Sequence, residues 1–237
     1  MTDPEGRQRE SWSENAAAWT DAVREGRIES RVLATDAAVL DVVVAGGPRR
    51  VLDVGCGEGW LGHRLAERGV AVVGFDASEA LVRCAREGGA GEYHVIDYAE
   101  FSSDPLLLGS GFDAAVCNFS LLGEEIGPLL GALAKALVPA GSLIVQTLHP
   151  CSIAEAGYRD GWREEDFRGM GAGFAAAMPW YFRTLGSWVG EMRRAGFRLD
   201  ECREPVHPDG GRPLSLLLVA SIDPSPGEGG APTRSPA

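Results

Sequence analysis

Carboxylates beside glycines raise the first chemical question. In Val51-Leu52-Asp53-Val54-Gly55-Cys56-Gly57-Glu58-Gly59 an apolar run ends in a bare turn. Glycine lacks a Cβ, so a ligand can approach the backbone there closely. Asp53 stands two residues before the first glycine, at the tip of the run. Its charge repels a pyrophosphate and attracts an ammonium or a sulfonium. Asp76 ends the next run, Val72-Val73-Gly74-Phe75-Asp76, where an acid can accept both hydroxyls of a ribose. Asp97-Tyr98 follows a third run and offers a carboxylate for an exocyclic amine, with a ring beside the base. Asn118-Phe119-Ser120 follows a fourth, where the reacting group of a bound ligand should lie.

Other residues are candidates for acceptor chemistry. His149 follows a fifth apolar run, and a neutral imidazole there is the first choice for a general base. Tyr181 is the second. Trp12 and Trp19 lie seven apart on an expected helix and share a face, either packing on the sheet edge or forming a lid. Residues 149–183 hold Tyr158, Trp162, Phe167, Phe174, Met178, Trp180, Tyr181 and Phe182 without a clear period. A long aperiodic insertion rich in aromatics predicts a substrate cap. Its arginines, Arg159, Arg163, Arg168 and Arg183, are balanced by acids and read as a solvated charged face.

Positioning these residues requires an alternating chain. Strands are expected at 50–54, 70–75, 93–96, 112–117 and 142–148, with helices at 61–68, 78–86 and 126–137 between them. A helix at 185–195 and strands at 197–202 and 214–222 follow. Two helices, 11–24 and 30–45, precede the first strand. Strands apolar on both faces and alternating with helices imply an α/β fold with a parallel sheet and helices on either side. Residues 1–10 and 223–237 are expected to be disordered, leaving one domain over 11–222 with the cap at 149–183.

Bulk composition narrows the classes. The 237 residues carry 22 basic and 34 acidic side chains, a net charge of −12. That balance disfavours nucleic acid as a partner. No apolar run is long enough to span a bilayer, and the polar start of the chain shows no leader pattern. Five cysteines without a C-x-x-C pair suggest neither a disulfide framework nor a metal site, and fit a reducing cytoplasm. Lys135 is the one lysine among the 22 basic residues, a bias typical of high-GC genomes.

The set Val51–Gly59, Asp76, Asp97, Phe112–Leu122 and Leu137-Val138-Pro139-Ala140-Gly141-Ser142 resembles the ordered motifs of class I S-adenosylmethionine-dependent methyltransferases, in the branch acting on small molecules. The resemblance implies a seven-stranded sheet of order 3-2-1-4-5-7-6 with the last strand antiparallel. It implies S-adenosylmethionine as cofactor, with Asp53, Gly55, Cys56 and Gly57 at the methionine end. Asp76 and Ala77 would serve the ribose, Asp97 and Tyr98 the adenine, Asn118 and Phe119 the sulfonium side, and Trp19 the lid. Asn118-Phe119-Ser120-Leu121 replaces the Asn-Pro-Pro-Tyr pattern of enzymes that methylate DNA bases or protein glutamine. The implied activity is methyl transfer to O, N or C of an apolar or aromatic metabolite, with a specialised metabolite favoured by the composition. Gly57-Glu58-Gly59-Trp60-Leu61-Gly62 also satisfies G-x-G-x-x-G, so an NAD(P)-dependent oxidoreductase is the rival. The strand already turns at Gly55, which puts that motif out of frame. A non-catalytic S-adenosylmethionine-binding module is a second rival.

Overall fold

Each of the first five apolar runs becomes a parallel strand: β1 Arg50–Val54, β2 Ala71–Asp76, β3 Glu92–Val95, β4 Phe112–Asn118 and β5 Leu137–Leu148. The computed structural model describes residues 3–152 and 157–223. Four more strands follow, β6 Gly161–Glu165, β7 Met178–Phe182, β8 Phe197–Arg203 and β9 Ser215–Ile222. The main sheet has the order β3-β2-β1-β4-β5-β9-β8. Counted within that sheet alone this is 3-2-1-4-5-7-6, because β6 and β7 pair separately as a hairpin. The last strand, β9, runs antiparallel to both neighbours.

Side-chain alternation assigns the two faces. Leu52, Val54, Val73 and Phe75 point to one side, onto α6 Tyr98–Ser103, α7 Gly127–Ala136 and α8 Leu185–Arg194. Val51, Val72, Ala114 and Val116 point to the other, onto α3 Asp36–Ala45 and α4 Trp60–Ala66. Ser78 caps α5 Glu79–Gly88 by accepting from the Leu81 amide at 3.4 Å. β1 lies between β2 and β4, so the strand order reverses there and a crevice opens beyond the strand tips.

Departures from the expected elements have local causes. The first ten residues are not disordered where described, because α1 spans Pro4–Glu14. Asp3 caps it through the Gly6 amide, and Pro4 occupies the first helical turn. The helix expected at 11–24 breaks at Asn15, and α2 covers Ala16–Arg24. The helix expected at 30–45 opens as a π turn, Arg31–Thr35, before α3. β5 starts at Leu137 instead of 142, pairing Leu137 with Phe112 across an irregular step in β4. Residues 224–237 and 153–156, expected to be tail and part of the cap, lie outside the described residues. No helix among the described residues is long and apolar enough to cross a membrane.

The cap is ordered by α1. Phe167, Met178, Trp180 and Phe182 bury against Leu122, with Trp12, Met170 and Phe174 packed around them. Asn15 is fully buried, accepts from Ala175 N at 2.7 Å and donates to Ala176 O at 2.7 Å. Gln8 donates to Leu122 O and Pro179 O at 3.0 and 2.9 Å. The break in the N-terminal helix thus turns one amide into a clasp between the N-terminal helices and residues 175–176. Asn15→Ala strands two buried backbone groups, which costs about 2 kcal/mol. Calorimetric scanning should show Tm lowered by roughly 4–8 °C for a domain of this size, with faster proteolysis within 161–182. An unchanged Tm would contradict this role.

Candidate active site

A cavity of about 370 Å³ occupies the crevice at the β1, β2 and β4 tips. Every residue expected to touch the cofactor lines it: Trp19, Asp53, Gly55, Cys56, Gly57, Asp76, Ala77, Asp97, Tyr98, Asn118 and Phe119. Gly55 turns at φ 68°, and a Cβ there would fall 2.5 Å from the Tyr98 hydroxyl and from Ser120 Cβ. Gly57 turns at φ 56°, and its missing side chain leaves open space, with only Trp19 Nε1 near at 3.9 Å. The first glycine is therefore required by packing and the second leaves room for a ligand.

Asp76 holds the turn in place. Its Oδ2 accepts from Gly57 N at 3.0 Å and its Oδ1 from Ser78 N at 2.8 Å. Burial raises its pKa against the pull of those two bonds. Asp53 has less relief, a single backbone hydrogen bond from Gly62. It is 2% exposed, and its Oδ2 has no hydrogen-bond partner. Burial first, then the charges of Glu58 and Asp76, push its pKa up to about 7. Glu58 is buried and raised as well, eased by Arg31 and Arg24. An unpaired buried carboxylate beside two others is costly in isolation and is relieved by a cationic ligand.

The remaining expected residues are set by their helices and strands. Asp97 caps α6 with one oxygen, accepting from Glu100 N at 2.8 Å. The Tyr98 hydroxyl donates to Ser120 O at 3.1 Å, which fixes its ring edge-on to Phe75. Asn118 Oδ1 accepts from Gln146 Nε2 at 2.8 Å. Phe119 sits at φ 54°, a left-handed conformation rare for an aromatic residue and costing of order 1 kcal/mol or more. Trp12 and Trp19 meet at 5.0 Å, edge to face, despite the break between their helices.

Behind Phe119 lies a second, apolar chamber of about 100 Å³, which shares Trp12, Trp19, Arg31, Asn118 and Phe119 with the first. The cap supplies its far wall through Phe167, Met170, Met178 and Trp180. Sequence reasoning missed Glu58 and Arg31. Glu58 stood in plain view between two motif glycines. Arg31 looks like any charged residue in a helical stretch, yet its side chain is 11% exposed. It pairs with Asp36 at 2.8 Å and lies over Trp60.

Neither candidate base reaches these chambers. His149 is buried, with Nε2 on Glu204 Oε1 at 2.8 Å and Nδ1 accepting from Cys151 N at 3.2 Å. Both ring nitrogens are engaged, so the structure corrects the expectation of a free imidazole at the end of β5. Tyr181 lies on the outer side of the hairpin, with its ring against Trp162 and under the Arg183 guanidinium. Arg183 is not solvated as expected: it is 3% exposed and donates to Gly123 O. Among the described residues no cluster of three metal-ligating side chains occurs.

Asp53 sets a stability test. Its folded pKa is raised, so its contribution to stability is fully present below about pH 4 and is lost as pH rises to about 7. Asp53→Asn should therefore raise the Tm of ligand-free protein at pH 8 by roughly 2–4 °C, about 1 kcal/mol, and have no such effect at pH 4. A lower Tm at pH 8 would refute the unrelieved charge.

Residues 51–141 match the family described as Methyltransferase domain. The ubiquinone biosynthesis O-methyltransferase of Idiomarina loihiensis is 35% identical over 105 residues, 43% of this chain and 43% of that protein. The chain spans about half the length of the curated relatives it matches. An S-adenosylmethionine-dependent methyltransferase from Mesorhizobium loti is 26% identical with a TM-score of 0.59, covering 77% of this chain and 97% of that one. A Burkholderia thailandensis 1,6-didemethyltoxoflavin-N1-methyltransferase, at 18% identity, gives 0.64 over 94% and 92%. Residues 51–141 thus match a methyltransferase domain, on a Rossmann-like fold shared with solved S-adenosylmethionine-dependent methyltransferases.

Proposed function

We propose that the protein transfers a methyl group from S-adenosylmethionine to O, N or C of a small apolar or aromatic molecule. The observation that carries this reading is the unpartnered Asp53 Oδ2 in a glycine-lined cavity that opens onto an apolar chamber. The residues fit the cofactor's chemistry. Asp53 and Glu58 suit its cationic end, and Arg31 suits its carboxylate. Asp76 keeps a lone pair on each oxygen for ribose hydroxyls, with Ala77 beside it. Asp97 retains a free oxygen for an amine. Cys56, whose thiol burial keeps protonated, serves through its backbone.

S-adenosylmethionine supplies an electrophilic methyl group on sulfur. The chain contributes alignment and exclusion of water. Phe119 and Asn118 stand at the junction of the two chambers, and Trp12 and Trp19 close them above. With His149 and Tyr181 turned away, no base from these two takes part. A dinucleotide is disfavoured, since its pyrophosphate would face three carboxylates. The apolar chamber favours an enzyme over a binding module. The net charge of −12 supports a small-molecule substrate over nucleic acid. The matched relatives are named O-methyltransferases, which supports oxygen as the acceptor, and a cytoplasmic place in specialised metabolism agrees with the composition.

Titration calorimetry should give micromolar affinity for S-adenosylmethionine and S-adenosylhomocysteine and none for NADH. Incubation with a metabolite pool should yield a product heavier by one CH₂, read by mass spectrometry. Absence of binding to either sulfur compound would overturn the reading. His149→Asn should change kcat less than twofold and leave its pH profile in place. A loss of a hundredfold or more would restore His149 as the base.

A further inference from the structure

Two residues other than glycine hold positive φ among the described residues, Phe119 at 54° and Phe167 at 60°. Both line the apolar chamber, from opposite sources: Phe119 from the tip of β4 and Phe167 from the cap. Strained backbone of this kind persists where the surrounding structure fixes it, and it concentrates at ligand sites. The strain at Phe167 is held by a carboxylate. Glu165 Oε1 accepts from Phe167 N at 2.7 Å, which bends the chain just after β6 and buries the Phe167 ring. That ring stacks on Phe174 at 4.6 Å and meets Trp12 edge-on at 6.2 Å.

Glu165 itself lines the chamber. Among the described residues its second oxygen has no partner and no cation is paired with it. The other charged residue there, Arg31, pairs with Asp36, lies over Trp60 and stands on the wall shared with the first cavity. The chamber is thus an aromatic slot with one carboxylate acceptor, beside the neutral Ser30 and Asn118, the latter already accepting from Gln146 Nε2. A polar group placed in an apolar site is where ligand selectivity arises, because an unsatisfied acceptor is costly when the ligand seals it from water.

We infer that Glu165 is a specificity-determining residue, selecting a flat aromatic acceptor that carries an N–H or O–H donor. The inference rests on the methyltransferase reading and narrows its substrate class. Glu165 acts by accepting the donor's hydrogen bond, and the walls at Phe119 and Phe167 hold the ring.

The test uses indole and benzofuran, which share a shape and differ in the N–H. Methionine methyl labelling makes the chamber visible by NMR. Met170 and Met178 line it, whereas Met192, on the buried face of α8, lies in the core and serves as the internal control. Titrations are run on the full chain saturated with S-adenosylhomocysteine. Indole should shift the Met170 and Met178 signals, leave Met192 in place, and bind about tenfold more tightly than benzofuran. In Glu165→Gln the amide oxygen still accepts from Phe167 N, and its NH₂ faces the slot. The preference should then fall below twofold or reverse. Equal affinities in the wild type, shifts at Met192 alone, or no binding of either probe would overturn the inference, whether or not the variant folds. Failure of S-adenosylhomocysteine to bind, seen first by calorimetry, would instead remove the methyltransferase reading beneath it.

Discussion

A single unrelieved charge organises this molecule. Asp53 is carried into the interior by an apolar strand and left there without a partner for one oxygen. Burying an unpaired carboxylate opposes folding, and the nearby Glu58 and Asp76 add to the cost. The rest of the fold accommodates it. The flanking strands and two apolar faces stabilise β1 strongly enough to hold the group in place. Asp76 ties down the glycine turn that would otherwise collapse onto the gap. A site built this way is poised for a positively charged ligand and repels phosphate.

The sheet order then decides what surrounds that charge. Because the order reverses at β1, loops from β1, β2 and β4 converge on one crevice without crossing. The chain after β5 leaves the sheet, forms the β6–β7 hairpin and returns over the crevice. α1 clasps that hairpin through Asn15 and Gln8. The outcome is a polar, acidic cavity adjoining an apolar one, with Phe119 between them in a strained conformation. One chamber is suited to a charged cofactor and the other to an uncharged ring, which is the division a transfer reaction needs.

Much of this was legible from residues alone. Strand tips announce themselves by apolar runs ending in Asp53, Asp76, Asp97 and Asn118, and all four line the cavity. The order of the sheet followed from the family resemblance, and the hairpin inserted within it was not visible. Its strands are short and mix Trp, Arg, Glu and Pro, so no period of two stands out. Asn15 and Arg31 were missed because each acts through partners far along the chain, Ala175 and Trp60. His149 was misjudged for the opposite reason. Its position after β5 is right for a base, but Glu204, fifty-five residues later, captures it. Asp3-Pro4 was a readable helix start, hidden by the polar composition around it.

Asp53 should stay partly protonated until a cation arrives and ionise on binding. Titration calorimetry with S-adenosylmethionine at pH 6.5, in buffers of different ionisation enthalpy, counts the protons exchanged. With a pKa of about 7 in the free protein, binding should release a substantial fraction of one proton, and Asp53→Asn should abolish the release. Zero release by the wild type, or uptake of protons, would contradict the account.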